Sequence, residues 1–307
     1  MARKDFLDIV SLDREEIIQL LDQAEPFKDL FTRSVKKVPA LKGKTVLMLF
    51  YEPSTRTLSS FEVAAKRLSA DVTTFDVPSS SVTKGESVRD TIDTLQAMRA
   101  DYIVVRHGLS GQPAAIARQT GASVINAGDG AHEHPSQALL DMLTVREQKG
   151  RIEGLTITII GDIAHSRVAR SNIYGFKKLG AEVRVAGPPT MLPADVEKSL
   201  GVKAYTNLAE AIEGADVVMA LRIQMERLEG ACFPSVREYA ATFGLDRAKL
   251  RYAKEDAIVM HPGPVNRGVE LSHELADDRP SVILDQVRNG VALRMALLYL
   301  VAGRGGH

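Results

Sequence analysis

The feature that most restricts how this chain folds is a regular alternation of short apolar runs with longer amphipathic stretches. A short apolar run is typical of a strand buried on both faces, whereas apolar residues repeated at helical spacing indicate a helix. The runs lie at residues 45–50, 72–77, 102–106, 123–126, 155–160, 183–186, 217–221 and 257–260. Strands that alternate strictly with helices form parallel sheets, so we predict an α/β fold with two doubly wound parallel-sheet domains.

The polar segment KGRIEG, residues 149–154, separates the first series of runs from the second. We therefore expect a first domain over residues 1–148 and a second domain over residues 149–284. Near the start of the chain, Asp13 followed by Glu16 predicts a helix that opens with a capping box. The segment 285–307 contains a last apolar helix, which we expect to pack back on the first domain.

The charge and cysteine content exclude several classes of protein. Basic and acidic residues both number 39, so the bulk charge gives no indication of nucleic-acid or membrane binding. Cys232 is the single cysteine, which excludes an intrachain disulfide and suits a reducing cytoplasm. The chain shows no signal-peptide core and no apolar run of about 18 residues, so we expect a soluble cytoplasmic protein.

The run at 45–50 leads into EPSTRT, which places three hydroxyl groups and a guanidinium in the four residues from Ser54 to Thr57. Apolar residues then follow at helical spacing from Leu58 to Leu68. The four residues should thus lie at a helix N-terminus, where free backbone N–H groups and the helix dipole favour an anion. This loop predicts a phosphate site, although it lacks the glycines of a P-loop or a dinucleotide fingerprint.

Cations recur where the predicted strands end, and ligands of open parallel sheets bind beyond the carboxyl ends of the strands. The cations in question are Arg56, Lys84, Arg106, Arg167 and Arg222. A single arginine at a strand end is ordinarily a solvated or ion-paired surface residue. Five such cations in a chain without net charge favour a binding role. We expect an active site in one cleft between the two domains, built for substrates with several negative charges.

The segment AGDGAHEHPSQ, residues 127–137, contains two histidines that could be metal ligands, so we consider a metal site there as an alternative. His132 and His134 do not have the HExxH spacing, and the sequence offers no cysteine cluster or clear third ligand. His134 and Gln137 are better explained as polar groups one turn apart, at the start of a helix that opens at Pro135.

The segment GDIAHSR, residues 161–167, lacks the glycines of the G-x-G-x-x-G pattern, so we do not expect an NAD site. The prediction is therefore that the protein holds neither a metal nor a cofactor. Asp129 and Asp162 follow glycines in strand-end turns, and we expect both to be structural.

Five motifs, taken in order, resemble those of the aspartate carbamoyltransferase catalytic chains, within the aspartate/ornithine carbamoyltransferase family. They are EPSTRT at 52–57, AGDGAHEHPSQALLD at 127–141, GDIAHSR at 161–167, LRIQMER at 221–227 and HPGPVNRG at 261–268. The resemblance covers essentially the whole length, and the set is specific although any single motif is not. It implies carbamoyl transfer from carbamoyl phosphate to L-aspartate, an early step of pyrimidine synthesis, by a homotrimer whose neighbouring chains share active sites.

The resemblance also implies roles for the matching residues. Those expected to bind carbamoyl phosphate are Ser54, Thr55, Arg56, Thr57, Arg106, His134, Gln137, Gly263 and Pro264. Those expected to bind aspartate are Arg167, Arg222, Gln224 and Lys84, and both Lys84 and Ser80 would reach in from the adjacent subunit. Those expected to take part in catalysis are Arg56, Thr57, Lys84, Arg106 and His134.

Two alternatives remain open. A carbamoyltransferase for ornithine would be expected to carry a cysteine in an HCLP-like motif where this chain has HPGP, whereas Arg167 and Arg222 suit a dicarboxylate. From a different class, a catalytically silent scaffold relative could lose Arg56, Lys84 or His134, and this chain retains all three.

One position departs from part of the family. Val265 stands where some members carry an arginine, and Arg267 follows two residues later, so which arginine of this loop helps to close the domains stays open. Relatives stand alone as trimers, pair with a zinc-bearing regulatory chain or assemble with dihydroorotase, and the sequence identifies no docking surface for either partner.

Overall fold

Two parallel β-sheets form the framework of the protein. The computed structural model describes residues 3–76, 92–94, 97–223, 235–278 and 280–302. The strands are β1 (Thr45–Phe50), β2 (Asp71–Asp76), β3 (Tyr102–His107), β4 (Ser123–Asp129), β5 (Thr156–Ile160), β6 (Glu182–Ala186), β7 (Lys203–Tyr205), β8 (Val217–Ala220) and β9 (Ile258–Met260). The helices are α1 (Arg14–Asp29), α2 (Thr55–Arg67), α3 (Gln112–Ala117), α4 (Pro135–Lys149), α5 (Arg167–Lys178), α6 (Val196–Leu200), α7 (Leu208–Ile212), α8 (Val236–Thr242), α9 (Arg247–Leu250), α10 (His273–Asp277) and α11 (Ile283–Ala302).

The described residues fall into two compact units. The first comprises the residues up to Leu140 together with those from Arg288 onward, and the second comprises Asp141 to Val287. Each limit lies inside a long helix, α4 in the first case and α11 in the second. The chain therefore passes from one unit to the other within helices rather than within loops.

The first unit is built on a sheet of order β2-β1-β3-β4, in which every pair of strands is parallel. β1 lies inside this sheet and is buried from Val46 to Phe50. Leu47 and Leu49 pack in one apolar cluster with Ile103 and Val105 of β3. A strand covered on both faces needs a continuous apolar run rather than alternation, and β1 has one.

The second unit is built on a parallel sheet of order β7-β6-β5-β8-β9. Each predicted apolar run overlaps a strand, although residues 155, 221 and 257 lie just beyond the strand ends. Residue 77 lies outside the described residues. The predicted fold class of two parallel α/β domains is thus confirmed. β7 was not predicted, because this edge strand is partly exposed and lacks an apolar run.

The N-terminal capping box is confirmed. The Asp13 carboxylate accepts a hydrogen bond from the Glu16 backbone N–H at 2.7 Å, and the Glu16 carboxylate accepts one from the Asp13 N–H at 3.2 Å. These two bonds satisfy backbone groups that the start of α1 leaves without partners inside the helix.

The part of α11 that follows Arg288 packs within the first unit. Arg294 Nη1 donates a hydrogen bond to Ser60 Oγ at 2.8 Å, and its guanidinium carbon lies 4.9 Å from the centre of the Phe61 ring. Nearer the end of the helix, the Tyr299 ring meets the Phe27 ring edge to face at 6.0 Å. α11 thereby contacts α2, the helix that follows the EPSTRT loop. Among the described residues, no helix has both the length and the apolarity to cross a membrane.

Candidate active site

The EPSTRT loop connects the end of β1 to the start of α2. Ser54 is the N-cap residue of α2, but its side chain makes no capping hydrogen bond, and the first turn contains no acidic residue. Thr55 and Arg56 are exposed, whereas Thr57 is buried. The Ser54 side chain leaves the N–H groups of the first turn free to bind an anion, and the Arg56 guanidinium adds a positive charge. This helix end is therefore suitable for an anion. The predicted position of the loop at a helix N-terminus is confirmed.

Arg106 is the penultimate residue of β3, a strand that pairs with β1 in the sheet. Its Nε lies 3.5 Å from Glu52 Oε2, and its Nη1 donates a hydrogen bond to the Ala127 carbonyl at 3.3 Å. The Arg106 carbonyl accepts a hydrogen bond from the Tyr51 N–H at 2.9 Å. The guanidinium is thus held at the same sheet edge at which the EPSTRT loop begins.

The loop after β4 is organised by two buried carboxylates. Asp129 accepts hydrogen bonds from the Gly111 N–H at 2.6 Å, from Asn126 Nδ2 at 2.9 Å and from the Glu133 N–H at 3.2 Å. Glu133, which is fully buried, in turn accepts one from the Ile9 N–H at 2.9 Å. The structural role predicted for Asp129 is confirmed, while the tie from Glu133 to the N-terminal segment was missed.

This loop delivers His134 and Gln137 to the start of α4. Both side chains are buried, and the Gln137 N–H donates a hydrogen bond to the His134 carbonyl at 3.0 Å, which places them one turn apart as predicted. His132, by contrast, directs Nδ1 to the Asp129 carboxylate at 3.1 Å. Within the described ranges, no group of three or more His, Cys, Asp or Glu side chains is arranged as a metal site.

In the second unit, Arg167 is the first residue of α5 and its side chain is buried. Ser166 caps this helix by accepting a hydrogen bond from the Ala169 N–H at 3.1 Å. Asp162 accepts bonds from the His165 N–H at 3.1 Å and from His165 Nδ1 at 2.9 Å, so its predicted structural role is confirmed.

Arg222 follows β8 and is half-buried. The next residue, Ile223, donates its N–H to Glu270 Oε1 at 2.7 Å, and the Asn266 N–H donates to Glu270 Oε2 at 2.8 Å. Burial raises the pKa of the Glu270 carboxyl above its ordinary value, although these N–H donors act in the opposite direction. Glu270 thus ties the segment of Arg222 to the loop that contains Asn266.

The HPGP loop follows β9. The His261 N–H donates a hydrogen bond to Gln286 Oε1 at 3.0 Å, and His261 Nδ1 accepts one from the Gly263 N–H at 2.8 Å. Gly263 has a φ of +67°, a left-handed conformation that favours glycine, and the Gly263–Pro264 peptide is cis. Arg267, farther along, forms a two-pronged ion pair with Asp277 at 2.7 Å, which lowers the pKa of the Asp277 carboxyl.

Ser80, Lys84 and Gln224, which the resemblance assigns to the substrates, lie outside the described residues. Sequence reasoning missed the roles of Glu133 and Glu270, which hold the loops that carry the predicted ligand-binding groups. Neither carboxylate has a distinctive local pattern, since Glu133 accepts the Ile9 N–H and Glu270 accepts the Ile223 N–H, which are both distant in sequence.

Comparison with known proteins matches both parts of the chain to the same family. Residues 4–147 match the family model described as aspartate/ornithine carbamoyltransferase, carbamoyl-P binding domain. Residues 153–301 match the model described as aspartate/ornithine carbamoyltransferase, Asp/Orn binding domain.

Individual proteins resemble the chain over nearly its whole length. The aspartate carbamoyltransferase catalytic subunit of Halothermothrix orenii is 58% identical over 304 residues, which cover 99% of this chain and 97% of that protein. The aspartate transcarbamoylase of Trypanosoma cruzi, solved with carbamoyl aspartate and phosphate, is 32% identical, with a TM-score of 0.86 over 96% of this chain and 95% of that one. The ornithine carbamoyltransferase of Pyrococcus furiosus is 30% identical, with a TM-score of 0.87 over 98% of this chain and 97% of that one.

Proposed function

Because this chain belongs to the aspartate/ornithine carbamoyltransferase family, we propose that it transfers the carbamoyl group of carbamoyl phosphate to the amine of L-aspartate. The products are N-carbamoyl-L-aspartate and phosphate, and the reaction serves the de novo synthesis of pyrimidines and hence of UMP. Relatives with 58% identity bear the name aspartate carbamoyltransferase catalytic subunit, which supports aspartate as the acceptor.

The observation that carries the choice of aspartate is the placement of two arginines at neighbouring strand ends. β5 and β8 are adjacent in the sheet, and the Leu221 N–H donates a hydrogen bond to the Ile160 carbonyl at 2.8 Å. Arg167 follows β5 and Arg222 follows β8, so both cations belong to the carboxyl edge of the same two strands. Two guanidinium groups suit the two carboxylates of aspartate, whereas the second amine of ornithine would be repelled.

For carbamoyl phosphate, we assign the phosphate to Ser54, Thr55, Arg56 and Thr57 at the N-terminus of α2, with Arg106 beside them. His134 and Gln137 would hold the carbamoyl end, together with the backbone of the loop at Gly263 and Pro264. Gln224 would assist Arg167 and Arg222 with aspartate. That these groups act on one pair of substrates is part of the proposal.

The chemistry needs no nucleophilic side chain. The uncharged amine of aspartate attacks the carbamoyl carbon, a C–N bond forms, and the C–O bond to phosphate breaks as the tetrahedral oxyanion collapses. Arg56, Thr57 and His134 would donate hydrogen bonds to that oxyanion, and each such donor contributes about 10²–10³ in rate at a preorganised site. The proton lost by the amine passes to the leaving phosphate. Holding both substrates in line adds a proximity term.

The oligomer belongs to the same proposal. We infer a homotrimer in which Ser80 and Lys84 reach the active site of the adjacent subunit, as the family resemblance implies. Lys84 would neutralise negative charge of both substrates and take part in catalysis with Arg106. The cytoplasmic location predicted from the lone cysteine also stays a proposal, as does assembly with a regulatory chain or dihydroorotase.

A phosphate-release assay tests the activity. The purified protein is incubated with carbamoyl phosphate and either aspartate, ornithine or no acceptor. We expect release that depends on aspartate and exceeds release with ornithine by at least about a hundredfold, as the loss of a charged pair predicts. Phosphate release with ornithine but not with aspartate would support the ornithine alternative. The absence of phosphate release with either acceptor would support the silent scaffold.

A further inference from the structure

A chain of buried hydrogen bonds runs behind the HPGP loop in the second unit. Gln286 of α11 accepts a hydrogen bond from the His261 N–H through Oε1 at 3.0 Å and donates one through Nε2 to Asp141 Oδ1 at 2.8 Å. Asp141 Oδ2 accepts a further hydrogen bond from Asn172 Nδ2 at 2.8 Å. Gln286 is 3% exposed, and Asp141 and Asn172 are fully buried.

The donors and acceptors in this chain allow only one arrangement. The His261 N–H can only donate, so the Gln286 amide must present its oxygen to His261 and its nitrogen to Asp141. Asp141 receives a side-chain donor on each of its two oxygens, so the carboxyl group acts as the acceptor in both hydrogen bonds. The amide of Gln286 is therefore locked in orientation rather than merely packed.

A further hydrogen bond connects His261 to Gly263 within the HPGP loop itself. His261 Nδ1 accepts the Gly263 N–H at 2.8 Å, so the peptide fixed by Gln286 and the imidazole next to it set the path of the backbone into Gly263 and Pro264. A buried amide is costly unless both of its ends are bonded, and an apolar side chain of similar size would avoid that cost. A buried glutamine that is bonded at both ends of its amide favours a role in holding the loop.

We propose that Gln286 is a positioning residue that holds the backbone of the HPGP loop in the geometry needed to bind the carbamoyl end of carbamoyl phosphate. This inference rests on the proposed function, because it assumes that the loop contacts the carbamoyl group. Inorganic phosphate has no carbamoyl group and would bind only through Arg106 and the residues at the N-terminus of α2. The two ligands therefore separate a defect in the loop from a general loss of structure.

The test compares Gln286→Leu with wild type in the full-length protein. The dissociation constants of carbamoyl phosphate and of inorganic phosphate are measured by titration calorimetry, and turnover with aspartate is measured alongside them. We expect carbamoyl phosphate to bind about tenfold more weakly and turnover to fall about tenfold, as expected for lost hydrogen bonds, while phosphate affinity is unchanged. Val287→Ala, at an exposed position next in the helix, is the matched control and should behave as wild type in all three measurements.

Unchanged carbamoyl phosphate affinity in Gln286→Leu, or equal losses for both ligands, would overturn the role of Gln286 while leaving the proposed function intact. A wild-type protein that binds carbamoyl phosphate no better than phosphate would instead overturn the proposed function, and this role with it. If circular dichroism shows that Gln286→Leu is not folded, Asp141→Asn is compared in the same way. Asp141→Asn keeps the side-chain volume but replaces one carboxylate oxygen by an NH₂ group. That NH₂ group would face the side-chain N–H of Gln286 or of Asn172, so one hydrogen bond would be lost.

Discussion

Replacing Arg56 by glutamine should raise the stability of the protein while it abolishes most of the activity. Arg56 is exposed in the first turn of α2, and no acidic residue offsets it there. A cation at a helix N-terminus opposes the helix dipole, which has its positive end at the same place. The free protein is therefore strained electrostatically, and a bound phosphate would relieve that strain.

The two effects have opposite signs and different sizes. Removing a cation from a helix N-terminus should stabilise the free protein by about 0.3–1 kcal/mol. Removing a charge-assisted hydrogen bond to the phosphate should cost about 1.5–3 kcal/mol, or about 10–150-fold in affinity for carbamoyl phosphate. If Arg56 also donates to the oxyanion, turnover should fall by a further factor of about 10²–10³.

Lys66 provides a matched control on the same helix. It lies in the last turn of α2, with its Nζ 3.6 Å from Glu62 Oε2, so its charge is favourable to the dipole. Lys66→Gln should lower stability by about 0.3–0.5 kcal/mol and leave carbamoyl phosphate affinity unchanged. Urea unfolding of the free protein gives the free energy of unfolding, and titration calorimetry gives the affinity.

The reasoning would be refuted if Arg56→Gln lowered the free energy of unfolding of the free protein. It would equally be refuted if Arg56→Gln bound carbamoyl phosphate as tightly as wild type. Raising the salt concentration should shrink the stability difference, because the dipole effect on an exposed group is screened.

Further predictions concern the other assigned residues. His134→Ala should lower turnover by about 10²–10³ and change carbamoyl phosphate affinity far less, because His134 is assigned to the developing oxyanion; steady-state kinetics and calorimetry measure the two. Arg222→Gln should raise the Michaelis constant for aspartate by about 10–100-fold without weakening carbamoyl phosphate binding. If neighbouring chains share sites, mixing inactive Lys84→Gln and Arg56→Gln proteins under conditions of subunit exchange should restore about a quarter of the sites. The Arg3 guanidinium, 2.7 Å from Glu16 Oε2, lowers the pKa of the Glu16 carboxyl, so Glu16 contributes stability above its ordinary pKa of 4.5 that is lost as the pH falls through the lowered value. Glu16→Gln keeps the capping box and should cost about 0.5–1 kcal/mol at neutral pH in chemical denaturation. This cost should diminish as the pH falls below 4.5.

Each of these predictions has a result that contradicts it. Unchanged turnover in His134→Ala would discard its role as a donor to the carbonyl. An unchanged Michaelis constant in Arg222→Gln would remove that residue from the aspartate site. No recovery in a mixture shown by mass spectrometry to contain hybrid oligomers would argue against shared sites, and a loss in Glu16→Gln that persists at low pH would show that packing rather than charge is responsible.

The strands of both sheets could be predicted from the sequence because buried parallel strands need continuous apolar runs. β1 was predicted with the bounds that the structure has, and the position of the EPSTRT loop followed from the helical spacing after it. β7 escaped prediction because an edge strand with a lysine and partly exposed neighbours carries little pattern. The location of Arg106 at the end of β3, of Arg167 after β5 and of Arg222 after β8 followed from chain order alone.

The supporting contacts could not be predicted. Glu133 binds a backbone N–H more than a hundred residues away, and Gln286 joins α11 to Asp141 on α4. Such contacts depend on which elements become neighbours in space, and a single glutamate or glutamine in a helical pattern does not report that. Asp129 was predictable as structural because its partners are mostly local, at a turn of a type that favours aspartate.

The central claim is that the carbamoyl group goes to aspartate, and a competition in one reaction tests it most directly. Carbamoyl phosphate labelled with ¹³C is mixed with equal concentrations of aspartate and ornithine, and the labelled products are followed by NMR as the protein turns over. The account predicts that the label appears in N-carbamoyl-L-aspartate and that the product ratio collapses when Arg222 is replaced by glutamine. Label found mainly in carbamoylated ornithine would contradict it, as would a product ratio that does not change when Arg222 is replaced by glutamine.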